Sequence, residues 1–159
     1  MLKFHAGSVE ETVALALKLG RILQRGDNIC LTGDLGTGKT AFTGGIAKAL
    51  DIDGYVTSPT FTIVNEYKGK LPLYHFDVYR IGDPDEMLET GYEDYINGDG
   101  ITVIEWADLI EDILPPERID VTLRKDDPDN PDSRQIIMHF RGEKTGSYER
   151  SLVNERIGN

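Results

Sequence analysis

The chain has 159 residues, with 17 Lys and Arg against 28 Asp and Glu, and its formal net charge is −11 at pH 7. At roughly 150 residues per domain, this length predicts a single domain over residues 1–159 and leaves little room for two independent cores. The negative charge disfavours direct binding to nucleic acid or to an anionic membrane surface, and a hydrophobic content of 39% argues against a disordered chain.

The amino-terminal part of the chain predicts a helix followed by a strand. Ser8 and Glu11 have the spacing of a capping box, and small or apolar residues then recur on one helical face, which predicts a helix over residues 8–24. That face consists of Val9, Val13, Ala16, Gly20 and Leu23. Residues 28–33, NICLTG, are apolar and β-favouring, as is typical of a buried parallel strand.

Residues 33–40, GDLGTGKT, match the phosphate-binding pattern G-x-x-x-x-G-K-[ST] directly after this strand. Glycines let successive backbone amides point at phosphate oxygens, and the start of the next helix adds the positive end of its dipole. Lys39 can reach the β and γ phosphates as a catalytic cation, and the Thr40 hydroxyl can bind Mg²⁺. The predicted nucleotide contacts are Asp34, Leu35, Gly36, Thr37, Gly38, Lys39, Thr40 and Ala41.

The helix after this loop is indicated by Phe42, Ile46 and Leu50, which recur every fourth residue and predict an end near Asp51. Further strands are predicted over residues 61–67, 73–80, 102–106, 119–125 and 134–140. Residues 107–114 are expected to be helical, and the polar tail from about residue 143 predicts no element. The pattern indicates an α/β fold, a P-loop NTPase-like layered sheet that is mostly parallel with an antiparallel portion and has helices on both faces.

Two carboxylates end predicted apolar strands. Asp77 follows YHF and Glu105 follows TVI, so both are expected at the carboxyl edge of a parallel sheet, beside the glycine-rich loop. A carboxylate is costly in an apolar setting unless a cation accompanies it, and Mg²⁺ can be that cation. Both residues are therefore candidates for an active site.

Two features that the sequence lacks, a guanine-specificity motif and a basic lid segment, indicate which class of nucleotide-binding protein this is. No Asn is followed by Lys, so the N-K-x-D motif of guanine-specific proteins is missing and GTP is disfavoured. Residues 82–100 contain seven Asp and Glu and no Lys or Arg, so a lid built from them would repel the phosphates of ATP. ATP hydrolysis is favoured. A small-molecule kinase that transfers the γ-phosphate to a metabolite is the alternative, and a nucleotide-gated binding module is a third reading.

Cysteine usage and hydropathy indicate the compartment. The single cysteine, Cys30, cannot form an intrachain disulfide, and the three histidines are too scattered to predict a zinc site. The amino terminus lacks the apolar core of a signal peptide, and no apolar run reaches the roughly 18 residues that a membrane-spanning helix needs. A cytoplasmic protein is expected.

Four sequence blocks in the same order resemble the bacterial TsaE family, also called YjeE, of small ATPases required for making threonylcarbamoyladenosine in tRNA. The blocks are GDLGTGKT, SPTFTIVNEY (residues 58–67), LYHFDVYRI (73–81) and VIEWAD (103–108). The resemblance implies a protein that binds ATP and Mg²⁺ and hydrolyses ATP slowly on its own. It also implies TsaD and TsaB proteins as partners, contact with tRNA only through their complex, and no membrane association.

The resemblance further implies roles for individual residues. Glu105 is expected on the magnesium side, and Asp77 is expected to position or deprotonate the attacking water, with the reverse allocation open. Thr60 resembles a switch threonine that senses the γ-phosphate and Mg²⁺, although the Ser-Pro-Thr sequence at 58–60 reads equally as a turn into a strand. Trp106 is expected on the opposite side of the sheet if the strand continues. It is either a packing residue or, as the family pattern favours, a functional aromatic near the nucleotide or on a docking surface.

Overall fold

The computed structural model describes residues 1–59 and 63–157, and in the last helix it describes side chains as far as residue 153. Within these residues one sheet contains the strands β1 (Leu2–Ala6), β2 (Asn28–Thr32), β3 (Val64–Tyr67), β4 (Leu73–Asp77), β5 (Ile101–Glu105), β6 (Arg118–Lys125) and β7 (Arg134–Arg141). The α-helices are α1 (Val9–Ile22), α2 (Lys39–Ala49), α3 (Tyr92–Ile96) and α4 (Glu143–Ile157). Two 3₁₀ helices span Pro84–Thr90 and Ala107–Ile113.

The sheet is mixed, with the strand order β1-β7-β6-β2-β5-β4-β3. Strands β6, β2, β5 and β4 run parallel to one another, whereas β1, β7 and β3 join through antiparallel pairings. The α/β class and the mixed sheet are thus confirmed, and among the described pairings the antiparallel share equals the parallel share. Because the parallel strands end at one edge, the segments that follow β2, β4 and β5 meet there.

Apolar side chains cover both faces of the sheet. Successive residues of a strand point to opposite faces, so Ile29 and Leu31 of β2 lie on one face and Cys30 lies on the other. The first face packs against α1, α2 and α4, and the second packs against α3 and both 3₁₀ helices. The prediction of helices on both faces is confirmed.

Helices α1 and α2 lie where the sequence pattern predicts them. Ser8 caps α1, with its Oγ accepting a hydrogen bond from the Glu11 amide at 3.2 Å. The buried face of α1 is rotated from the predicted one, since Thr12 and Leu19 are buried and Val9 is exposed. Phe42, Ile46 and Leu50 are all buried, which confirms the predicted core face of α2.

Strand β1 and helix α4 have no counterpart in the sequence-based prediction. The polar tail forms α4 because two of its few apolar residues, Tyr148 and Leu152, reach the main core. Asp27 anchors the same helix, since the Tyr148 hydroxyl donates to its carboxylate at 2.8 Å and Lys144 forms an ion pair with it at 2.9 Å. Within the described ranges, no helix combines the length and the apolar character needed to cross a bilayer.

Candidate nucleotide-binding site

A glycine loop, residues 33–40, connects β2 to α2 at the edge where the parallel strands end. Gly36 and Gly38 have φ angles of 78° and 99°, which lie in the left-handed region that residues with a Cβ rarely adopt. Gly38 precedes α2 and supplies no side-chain cap to it. The first amides of a helix without such a cap can bind an anion, so the loop offers donors suited to phosphate.

Lys39 holds a buried ammonium inside the glycine loop. Its Nζ donates to the carbonyl oxygens of Gly33 at 2.7 Å and Asp34 at 3.0 Å, and it lies 4.0 Å from the centroid of the Trp106 ring. Burial lowers the pKa of the Lys39 ammonium, against the opposing charges of Glu105 and Asp77. Because carbonyl oxygens and the face of an aromatic ring hold the Lys39 ammonium, it can turn toward an incoming phosphate without first breaking an ion pair with a carboxylate.

Three oxygen-bearing side chains converge at the start of α2. The Thr40 hydroxyl lies 2.7 Å from the Ser58 hydroxyl and donates to Glu105 Oε1 at 3.2 Å. Ser58 in turn lies 3.5 Å from Glu105 Oε2. Hydroxyl and carboxylate oxygens are the ligands that Mg²⁺ prefers, and nucleotide-bound Mg²⁺ needs few of them because phosphates and water complete its shell. These residues therefore fit a magnesium ion, which Thr40 and Glu105 could hold.

Asp77 and Glu105 lie side by side at the ends of neighbouring parallel strands, paired in register across β4 and β5. Asp77 is half-buried and accepts a hydrogen bond from the Tyr79 amide at 3.0 Å, whereas Glu105 is only 2% exposed. Burial raises the pKa of the Asp77 carboxyl and the charge of Glu105 adds to that rise, while the Tyr79 amide acts in the opposite direction. A carboxylate that is both accessible and more basic than usual can accept a proton from water.

Trp106 occupies a different position from the predicted one. The condition under which its ring would lie on the opposite side of the sheet is not met, because β5 ends at Glu105 and Trp106 adopts a φ of 62° in the left-handed region. This turn brings the indole over Lys39 and places it 4.7 Å from the ring of Tyr79. The indole therefore forms one wall of the site.

A cavity of about 320 Å³ contains most of the predicted site residues. Its lining consists of Leu35, Gly36, Gly38, Lys39, Thr40, Ser58, Asp77, Glu105 and Trp106. Thr37 and Ala41 instead line a small cavity behind the glycine loop. The carbonyl oxygen of Asp34 accepts hydrogen bonds from the Lys39 ammonium and the Thr37 hydroxyl. Thr60 lies outside the described residues.

Sequence reasoning missed three residues at this site: Ser58, His75 and Arg134. His75 is fully buried, and its Nε2 contacts Oε2 of Glu105. The signal was present, because His75 and Asp77 are two residues apart on one strand and must share a face. Arg134 contacts the glycine loop from outside, and no local pattern could show this because 97 residues separate it from Thr37.

Comparison with known proteins gives a consistent family match. The family model described as threonylcarbamoyl adenosine biosynthesis protein TsaE matches residues 6–136. A tRNA threonylcarbamoyladenosine biosynthesis protein TsaE from Bacillus subtilis is 47% identical over 125 residues, which cover 78% of each chain. One from Rickettsia conorii is 36% identical over 149 residues, covering 92% of this chain and 82% of its own. A crystal structure of Bacillus subtilis YdiB matches with a TM-score of 0.84 and 37% identity, covering 98% of this chain and 95% of the other.

Proposed function

This chain belongs to the TsaE family, whose members are named for the biosynthesis of threonylcarbamoyladenosine in tRNA, and from that premise we propose that it is a P-loop ATPase. It binds ATP with Mg²⁺ and hydrolyses the bond to the γ-phosphate, and this hydrolysis supports tRNA modification in the cytoplasm. One observation carries this proposal: Lys39, Thr40, Asp77 and Glu105 line a single cavity at the glycine loop.

The residues of the site divide the work of hydrolysis. Amides of the glycine loop and the Lys39 ammonium stabilise negative charge on the phosphates as the terminal bond breaks. Thr40 and Glu105 hold Mg²⁺, which when bound neutralises charge on the phosphate oxygens. Asp77 orients the attacking water and accepts its proton. The Thr40–Glu105 contact and the greater accessibility of Asp77 favour this allocation over the reverse.

The proposed activity is slow without partners. Among the described residues that line the cavity, Lys39 is the sole Lys or Arg, so the arginine that many such enzymes place on the transferring phosphate is missing. We propose that TsaD and TsaB proteins dock on this chain and stimulate turnover. They also hold the tRNA, because a protein of net charge −11 repels a polyanion.

An assay with γ-labelled ATP and Mg²⁺, with and without TsaD and TsaB proteins, tests the proposal. We expect label in inorganic phosphate, released faster when the partners are present. Asp77→Asn should lower this release by about 10²-fold or more, since a general base contributes that much. Asp53→Asn, which changes an exposed aspartate, serves as the matched control and should leave the rate unchanged.

Two other outcomes of these experiments would contradict the proposal. Label on an added metabolite would establish a kinase. Tight, ATP-dependent partner binding that is equal in wild type and Asp77→Asn, without phosphate release in either, would establish a nucleotide-gated binding module.

A further inference from the structure

Arg134 is a buried arginine whose hydrogen bonds go to backbone carbonyls. Its Nε donates to Thr37 O at 2.7 Å, and its Nη2 donates to Gly36 O at 3.1 Å. Its Nη1 donates to the carbonyls of Pro131 and Ser133 at 2.6 and 2.7 Å. Arg134 is 8% exposed, and it takes part in none of the ion pairs formed among the residues that the structure describes.

Burying a guanidinium that has no carboxylate partner destabilises a fold unless its N–H donors are hydrogen-bonded. Here the N–H groups of Arg134 bond to two successive carbonyls of the glycine loop.

The sheet topology explains the position of Arg134. Strand β7 runs antiparallel to β6, and Arg134, at the start of β7, is paired with Lys125 at the end of β6. Arg134 therefore lies at the edge where the parallel strands end, behind the loop.

The two contacts fix the orientation of two peptide groups. In a planar trans peptide the carbonyl and the amide that share the group point in opposite directions. Holding the Gly36 and Thr37 carbonyls from outside therefore directs the amides of Thr37 and Gly38 away from Arg134. In this fixed orientation the Thr37 amide makes only a long contact, 3.3 Å, with the Asp34 carbonyl, so a stronger acceptor can compete for it without rotation of the peptide group. Gly36 and Gly38 line the cavity on that side.

We propose that Arg134 is a positioning residue that presets the glycine loop for phosphate, by holding two loop carbonyls outward so that the adjoining amides face the nucleotide. This inference rests on the proposed function, because the loop must bind phosphate for the orientation to matter. The guanidinium also places a positive charge behind the loop without touching the nucleotide.

The test measures binding of ADP with Mg²⁺ through the fluorescence of Trp106, the only tryptophan, which forms a wall of the site. In Arg134→Gln we expect the dissociation constant to rise about tenfold, since charge-assisted hydrogen bonds to the loop are lost. Hydrogen exchange of residues 33–38 in the nucleotide-free protein should be faster. Arg134→Lys, which keeps the charge but not the fork, should show a smaller loss of affinity.

Arg118→Gln is the matched control. Arg118 also donates to a backbone carbonyl, that of Pro115 at 2.9 Å, but it lies at the opposite end of the neighbouring strand β6. Its loss should change neither the affinity nor the exchange of the loop.

A folded Arg134→Gln protein with wild-type affinity would overturn the inference, and so would equal losses in the Arg118 and Arg134 variants. If Arg134→Gln does not fold, Arg134→Lys decides, and wild-type affinity in that variant counts against the inference. Lys39→Ala separates this failure from that of the proposed function. If Lys39→Ala binds like wild type the proposed function fails, and if only the Arg134 variants bind like wild type this inference alone fails.

Discussion

The pair formed by His75 and Glu105 shows how a single buried contact supports the site. His75 Nε2 contacts Glu105 Oε2, and the other ring nitrogen of His75 has no hydrogen-bond partner among the described residues. The Thr40 hydroxyl lies 3.2 and 3.4 Å from the two oxygens of Glu105, so the histidine helps to fix the orientation of a carboxylate that faces the start of α2. Removing the ring would free the carboxylate to rotate and would leave it buried with fewer donors.

His75→Ala should therefore lower the free energy of unfolding by about 1–3 kcal/mol, the cost of a buried polar group that loses its partner. His75→Gln should recover part of this loss, because its side-chain amide can reach the position of Nε2. Urea denaturation followed by circular dichroism measures both variants. Equal stability of the Ala and Gln variants would mean that the contact contributes nothing beyond the volume of the ring.

For single residues, the sequence predicts those that belong to a local pattern. It does not predict contacts between residues that only the folded sheet brings together. Lys39 and Thr40 follow from the loop motif, and Asp77 and Glu105 follow from their place at strand ends. The orientation of Trp106 could not be predicted, because it depends on a left-handed residue where β5 stops.

Helices α1 and α2 cross closely, and of two adjacent glycines in α2 only one is needed for that crossing. A Cβ on Gly45 would lie 2.6 Å from the carbonyl oxygen of Val13 and 2.6 Å from the Cβ of Ala16. A Cβ on the adjacent Gly44 would meet no atom within 4 Å among the described residues. Gly45 is thus a packing requirement, whereas Gly44 only weakens the helix.

Gly45→Ala should lower the free energy of unfolding by about 1–3 kcal/mol, because the backbone of α1 must move. Gly44→Ala should raise it by about 0.5–1 kcal/mol, since alanine favours a helix over glycine. The two substitutions add the same methyl group to neighbouring positions, so each is the control for the other in urea denaturation. Stabilisation by both would contradict the close crossing.

Cys30 of strand β2 is buried on the face of the sheet that packs against α3 and both 3₁₀ helices. Burial, aided by the charge of Asp120, raises the pKa of the Cys30 thiol from 9.0 to about 12. Above pH 9 the unfolded chain loses this proton while the folded chain keeps it. The free energy of unfolding should therefore fall as the pH rises, by up to about 1.4 kcal/mol per pH unit from this group.

Cys30→Ala should make this alkaline loss of stability shallower. Urea denaturation at several pH values from 8 to 10.5, under reducing conditions, measures the slope for both proteins. Buried Tyr148 and Tyr92 have raised pKa values as well, so some slope will persist in the variant. Identical slopes would show that the folded thiol ionises as readily as the unfolded one.

Elements with a strong period were predictable, and elements stabilised by distant contacts were not. Helix α2 shows an apolar residue every fourth position and strand β2 is a continuous apolar run, and both were predicted from these local signals. Helix α4 has a polar sequence, and it is fixed by an ion pair and a hydrogen bond to Asp27 more than 100 residues away. Strand β1 depends likewise on its pairing with β7.

Across the whole molecule, the groups suited to phosphate are gathered at one edge of the sheet within a strongly acidic protein. Lys39 and Arg134 are both buried at this edge, where they serve the loop and are not available to an extended polyanion. The net charge of −11 then repels a nucleic acid at long range. The ATP binding proposed above needs a cavity in which local donors outweigh that repulsion, and the glycine-loop cavity offers such donors.

The isolated chain should accordingly bind tRNA more weakly than the roughly 10⁻⁴–10⁻⁶ M that is typical of non-specific nucleic-acid binding proteins at physiological salt. Fluorescence anisotropy of labelled tRNA, titrated with the chain alone and then with TsaD and TsaB proteins present, measures this. The partner proteins without this chain provide the control, and a series of salt concentrations reports the number of phosphate contacts. Micromolar binding by the isolated chain, weakening steeply with salt, would reveal a basic surface of its own and would remove the need for partners to hold the tRNA.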